Sequence, residues 1–105
     1  MNIVYVPCKN EEESKEIANI IIKEKLAFCT NIIPGCYSIY RWQGKVEKSE
    51  ESLLIIKTLP HLVKKLISRI KNLHSYKMPE IISWKIDEVS PGIVNWAVNE
   101  LNIKI

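Results

Sequence analysis

Glycine is scarce in this chain. Its 3 glycines in 105 residues (Gly35, Gly44 and Gly92) are too far apart to build a phosphate-cradling loop. Cysteine is nearly as rare: Cys8, Cys29 and Cys36 form an odd set with no C-x-x-C pair. That argues against a disulfide framework and against a four-thiolate zinc site. No apolar run approaches the ~18 residues of a membrane span, since Ile20-Ile21-Ile22 is closed by Lys23-Glu24-Lys25. The N-terminus lacks a positive leader and goes straight into a strand-like run, so a secretory signal is not expected and a cytoplasmic location is. Charge of one sign is never concentrated: 15 basic and 12 acidic residues are interleaved for a net +3. Without a basic block, neither nucleic acid nor a membrane is an expected partner. No Ser-His-Asp or Cys-His-Asn order has supporting context, so no enzyme is expected either.

What the chain does have is strong patterning. A hydrophobic fraction of 47% and a charged fraction of 26% suit one soluble domain, residues 1–105, with a single core. Residues 2–7 alternate as a first strand ended by Pro7. Asn10 then caps a helix expected over residues 11–25, with Glu11, Glu12 and Glu13 in its first turn and an apolar stripe from Ile17 to Leu26. Residues 26–58 read as one long hairpin about Gln43-Gly44, around which the rest of the chain is organised. Pro34-Gly35 predicts a bulge in its first arm. The second arm ends in Leu53-Leu54-Ile55-Ile56, a run suited to burial on both faces. Thr58 is placed to cap a second helix with Pro60 in its first turn and apolar residues from Leu62 to Leu73. A fourth strand over residues 80–87, a last helix after Ser90-Pro91 and a short terminal strand at Ile103-Lys104-Ile105 complete the order. The fold class is α+β: a ferredoxin-like βαββαβ sandwich with a long hairpin between its second and third strands and an extra C-terminal helix. A ribbon that projects beyond its own core leaves sticky edges, which a second copy of the chain is expected to cover.

Several spaced motifs then resemble a known family. Leu26-Ala27-Phe28-Cys29-Thr30-Asn31-Ile32-Ile33-Pro34-Gly35, Ser38-Ile39-Tyr40-Arg41-Trp42-Gln43-Gly44-Lys45, Ile56-Lys57-Thr58 and His74-Ser75-Tyr76-Lys77-Met78-Pro79-Glu80 together resemble the CutA divalent-cation tolerance proteins. The resemblance implies a ferredoxin-like subunit, a tight homotrimer similar in build to the PII-type signalling proteins, and binding of copper or another divalent cation without catalysis. Ser75 stands where the family has proline, Val6 where some members carry a metal-implicated cysteine, and Leu73-His74 where such members have two histidines.

Among the residues themselves, His74 is the first candidate metal ligand, because imidazole suits Cu(II) and Zn(II). The plainer alternative is a hydrogen-bonded structural histidine. Cys29 offers a soft ligand or a small buried hydrophobe. Glu80 is the third candidate ligand. Glu80, Glu51 and Lys57 could equally form an ion pair that fixes subunit register. Tyr40 and Trp42 flank the hairpin tip as interface anchors, with nucleobase stacking as the sharper alternative. Tyr76 and Trp96 are assigned to packing or an interface. The leading expectation is a trimeric, cytoplasmic ion-binding protein. The runners-up are a PII-like sensor of a small anionic ligand at Lys57 and a scaffold trimer for an unidentified protein partner.

Overall fold

The structure is a computed structural model that describes residues 1–101, so the terminal strand expected at 103–105 lies outside the described residues. Four strands, β1 (Asn2–Cys8), β2 (Cys29–Trp42), β3 (Lys45–Thr58) and β4 (Ile82–Lys85), form one antiparallel sheet in the order β2-β3-β1-β4. Helices α1 (Glu11–Lys23), α2 (Val63–Leu73) and α3 (Ile93–Leu101) complete the α+β, ferredoxin-like arrangement. Its one-face core is built from Val4, Val6 and Cys8 of β1 and Leu54 and Ile56 of β3. Against them pack Ile17 and Ile21 of α1 and Leu66 and Ile70 of α2. A smaller cluster of Phe28, Leu59, Ala97 and Leu101 fastens α3 to the end of the sheet away from the hairpin tip.

Local chemistry explains the ends of these elements. Asn10 caps α1 as its pattern predicts: its side-chain oxygen accepts from the Glu13 N–H at 2.8 Å. The helix stops at Lys23, two residues short of expectation, because Lys25 adopts φ +60. There the Leu26 N–H reaches the Ile21 carbonyl and the Lys25 N–H reaches that of Ile22, a Schellman closure with lysine in the position that glycine usually takes. Thr58 does not cap α2. It is a fully buried strand residue whose hydroxyl donates to the Leu26 carbonyl at 2.7 Å, and the turn at Pro60–Leu62 starts without a side-chain cap. β4 is shorter than its alternating pattern because it ladders only against Asn2 to Tyr5 of β1.

The long hairpin is present, though its first arm starts at Cys29, three residues inside the expected start. Gln43 and Gly44 both have positive φ (+52 and +81), the two-residue turn whose twist matches the flanking strands. The bulge falls where Pro34-Gly35 places it, as a register shift between Ile33 and Cys36, with Gly35 at φ +73. The run expected to be buried on both faces is buried on one: Leu54 and Ile56 are inaccessible, whereas Leu53 and Ile55 are only half-buried. Among the described residues no helix covers much of that second face. Ile33, Ile82 and Trp84 remain 48%, 44% and 46% exposed on it.

Candidate functional site

Three chemically distinct donors meet behind the N-terminus of α1. The Cys8 sulfur, a Glu13 carboxylate oxygen and a His74 ring nitrogen lie within 4.8 Å of one another, all on buried residues. β1 supplies Cys8 at its last position, the first turn of α1 supplies Glu13, and the residue that closes α2 supplies His74.

The hydrogen bonds define the state of each group. His74 Nε2 donates to the Pro7 carbonyl at 2.9 Å, while Nδ1 accepts from the Tyr76 N–H at 3.1 Å, which fixes a neutral Nε2–H tautomer. Glu13 accepts at Oε1 from the Lys9 N–H (2.9 Å) and at Oε2 from the Ser75 N–H (2.7 Å). Burial works against its charge, but the hydrogen bonds from Lys9 and Ser75, aided by nearby His74, outweigh it and hold the carboxyl below its ordinary range. Burial pushes the Cys8 thiol up to about 11; a hydrogen bond with Ser14 opposes it, and the Glu13 and Glu51 carboxylates add smaller rises. Oxygen, nitrogen and sulfur of this kind suit a borderline or soft divalent ion. In this arrangement, however, both imidazole nitrogens and both Glu13 oxygens are already engaged and the sulfur keeps its proton. The cluster is closed. Beside it lies an open depression of about 520 Å³ edged by Glu12, Glu13, Glu16, Lys9 and Ser75, whose acidic rim favours the approach of cations.

Of the ligands expected from the sequence, His74 alone is in this cluster. Cys29 ladders to Lys57, which pairs with Ile3, whereas His74 is bonded at Pro7. Those ends of β1 are four residues, or about 13 Å, apart. Glu80 is exposed at the approach to β4 and lies near Tyr5, whose phenol is raised first by burial and then by Glu80, Cys36 and Glu51. Glu51 pairs with a phenol and not with a lysine: the Tyr76 hydroxyl donates to it at 2.6 Å. Burial, then that carboxylate, raises the Tyr76 phenol well above its usual range. Lys57 donates to Asn31 Oδ1 at 2.7 Å, with a longer contact to Cys29 Sγ at 3.7 Å. Trp96 packs edge-on to Phe28, with ring centroids 5.1 Å apart. Tyr40 and Trp42 flank the hairpin tip, 44% and 45% exposed.

Sequence reasoning counted Cys8 only among three unpaired cysteines and read Glu13 as one of three helix-start acids. The signal that finds Glu13 is its place three residues after the cap, the capping-box spacing. Here its carboxylate reaches back to Lys9 and across to Ser75. Nothing in the linear sequence brings Cys8 to His74.

Comparison with known proteins places the chain. Residues 2–100 match the family model described as CutA1 divalent ion tolerance protein. The divalent-cation tolerance protein CutA of Thermus thermophilus is 43% identical over 94 residues, 90% of this chain and 91% of the relative. The chloroplastic protein CutA of Arabidopsis thaliana is 43% identical over 97 residues, which is 92% of this chain but only 53% of that longer protein. Among solved structures, CutA1 of Oryza sativa superposes with a TM-score of 0.91 at 42% identity, covering 94% of this chain and 91% of its own. A CutA of Archaeoglobus fulgidus described as a periplasmic divalent cation tolerance protein gives 0.92 at 30% identity, covering 96% and 98%. With the four-stranded sheet, the long hairpin and these matches agreeing over nearly its whole length, the chain belongs to the CutA1 divalent ion tolerance family.

Proposed function

We propose that the protein is a non-enzymatic, homotrimeric binder of divalent cations, Cu(II) foremost, with His74 as the central ligand. The observation that carries this reading is the convergence of sulfur, carboxylate and imidazole within 4.8 Å beside an acidic depression. Cys8 and Glu13 replace Cys29 and Glu80 as the partners of His74. Because the cluster is closed, an ion must displace the Tyr76 N–H from Nδ1 and the proton from Cys8. Binding therefore releases protons and weakens as the pH falls. The half-exposed apolar face of the sheet, continued along the hairpin by Tyr40 and Trp42, supports the trimer, since such a face needs a cover. Three unpaired cysteines support a reducing, cytoplasmic setting.

The test is a Cu(II) titration of metal-free protein at neutral pH against a competing chelator, beside His74→Ala and Cys8→Ser. Saturable binding at one ion per chain or per trimer, lost in both variants, supports the site. Binding indifferent to both substitutions places the ion elsewhere and leaves His74 as a structural clasp. A second reading, the sensing of a small anion, is favoured by Lys57, whose hydrogen-bond partners are neutral.

A further inference from the structure

The cluster of Cys8, Glu13 and His74 is closed by one short strap of chain, residues 74–76. Two successive backbone N–H groups of that strap lie across it. The Ser75 N–H donates to Glu13 Oε2 at 2.7 Å, and the Tyr76 N–H donates to His74 Nδ1 at 3.1 Å. The second bond is the decisive one. His74 Nε2 is engaged by the Pro7 carbonyl at 2.9 Å, so Nδ1 holds the one lone pair that the imidazole can offer an ion. A histidine held by a carbonyl at one nitrogen is oriented as a ligand at the other, and here that other nitrogen is covered. The Tyr76 ring also lies against the imidazole, with centroids 4.7 Å apart.

What keeps Tyr76 there is its far end. Its hydroxyl donates to Glu51 Oε2 at 2.6 Å, a short bond to a carboxylate that is itself buried. Glu51 lies outside the cluster, on β3 opposite Cys36 and just beyond the bulge. Lys77 and Met78, which follow Tyr76, are exposed, so the phenol is the anchor of the strap. Each of these bonds is made within one chain and needs no second copy.

We infer that Tyr76 is a positioning residue that latches the ion cluster shut through Glu51, so that its phenol sets how tightly an ion binds at His74. The inference rests on the ion-binding reading of the cluster and adds its regulation. The latch has two states. Closed, Tyr76 bridges His74 and Glu51; open, Nδ1 is free and the phenol has left Glu51. The measured affinity is the intrinsic one reduced by the open fraction, so weakening the anchor must tighten binding.

The test is a Cu(II) titration against a competing chelator at fixed neutral pH, with stopped-flow rates. It compares the metal-free parent chain with Tyr76→Phe, Glu51→Gln and His74→Ala. Tyr76→Phe keeps the backbone N–H and the ring and removes only the anchor. It should bind about tenfold more tightly, with the gain in the association rate and dissociation unchanged. Glu51→Gln, whose amide oxygen still accepts but carries no charge, should give a smaller gain of the same sign. In the parent chain, diamagnetic Zn(II) should shift the Tyr76 ring signals in NMR, and His74→Ala should abolish that shift. A merely structural role for Tyr76 predicts the opposite sign, since a looser site loses affinity through faster dissociation. His74-dependent binding that is unchanged or weakened in Tyr76→Phe overturns the latch and leaves the ion site standing. A Tyr76 ring unmoved by Zn(II) bound at His74 does the same, because the N–H has then turned away without the phenol. Binding indifferent to His74, or no binding, overturns both. Should Tyr76→Phe fail to fold, Glu51→Gln and the Zn(II)-induced shift in the parent chain decide the same question.

Discussion

Thr58 and Glu13 show how single side chains hold backbone that would otherwise be orphaned. Removing the Thr58 hydroxyl with Thr58→Val strips the buried Leu26 carbonyl of its donor, and chemical denaturation should show a loss of about 1–3 kcal/mol. Lys25 tells the opposite story. A lysine at φ +60 carries about 1–2 kcal/mol of left-handed strain, offset in Lys25→Gly by the greater flexibility of unfolded glycine. A net gain of roughly 0.5–1 kcal/mol should appear as a raised Tm, and a lowered one would refute the strain argument. Glu13 sets an acid limb on stability. Its folded pKa lies below the ordinary 4.5, so its contribution is complete above that value and is lost as the pH falls through the folded one. Glu13→Gln should be less stable near neutral pH, and its stability should fall less steeply as the pH drops below 4.5. Cys8, buried and with its thiol near 11, should react with a thiol reagent only on unfolding.

At the scale of elements, the hairpin is where local chemistry decides most. Gly35→Ala should cost about 1–2 kcal/mol, because φ +73 strains any side chain even though the nearest atom, Glu50 Oε2, leaves 3.8 Å of room. Turn, bulge and strand lengths were all legible here because Gln43-Gly44 and Pro34-Gly35 carry conformational information in their own covalent structure. Much of the order of elements was legible for a similar reason, as period-two and helical spacing are local properties. Other features depended on contacts between distant segments. Thr58 reads as a cap by position, yet Leu26, 32 residues away, claims its hydroxyl. The candidate cluster was visible only through His74, since its other members come from β1 and α1. The length of β4 was set by how far β1 runs beside it, which no residue of β4 records.

The whole molecule is drawn out by its ribbon. Its extents are 48 × 26 × 21 Å and its radius of gyration is 14.5 Å, against about 13 Å for a compact chain of this length. Such a shape, with one sheet face half open, fits a subunit better than a finished particle. Light scattering at micromolar concentration should give three times the chain mass, and a monomeric mass would sink the proposed assembly. Trp84→Lys, which charges the open face, should shift the mass toward monomer while the helix-covered core keeps its circular dichroism.

The bulge in β2 also acts as a parity switch. Before it, odd-numbered Ile33 shares the open face with Leu53. After it, even-numbered Cys36, Ser38, Tyr40 and Trp42 share that face with Glu51, Ser49, Glu47 and Lys45. By seating Pro34 and Gly35 together opposite Ser52, the bulge absorbs the extra residue and keeps these side chains on the open face. Deleting Gly35 would make the ladder regular with Cys36 still opposite Glu51, so every residue out to the tip would keep its face; drawing the bulge straight with both residues in place would instead turn the whole outer ribbon over.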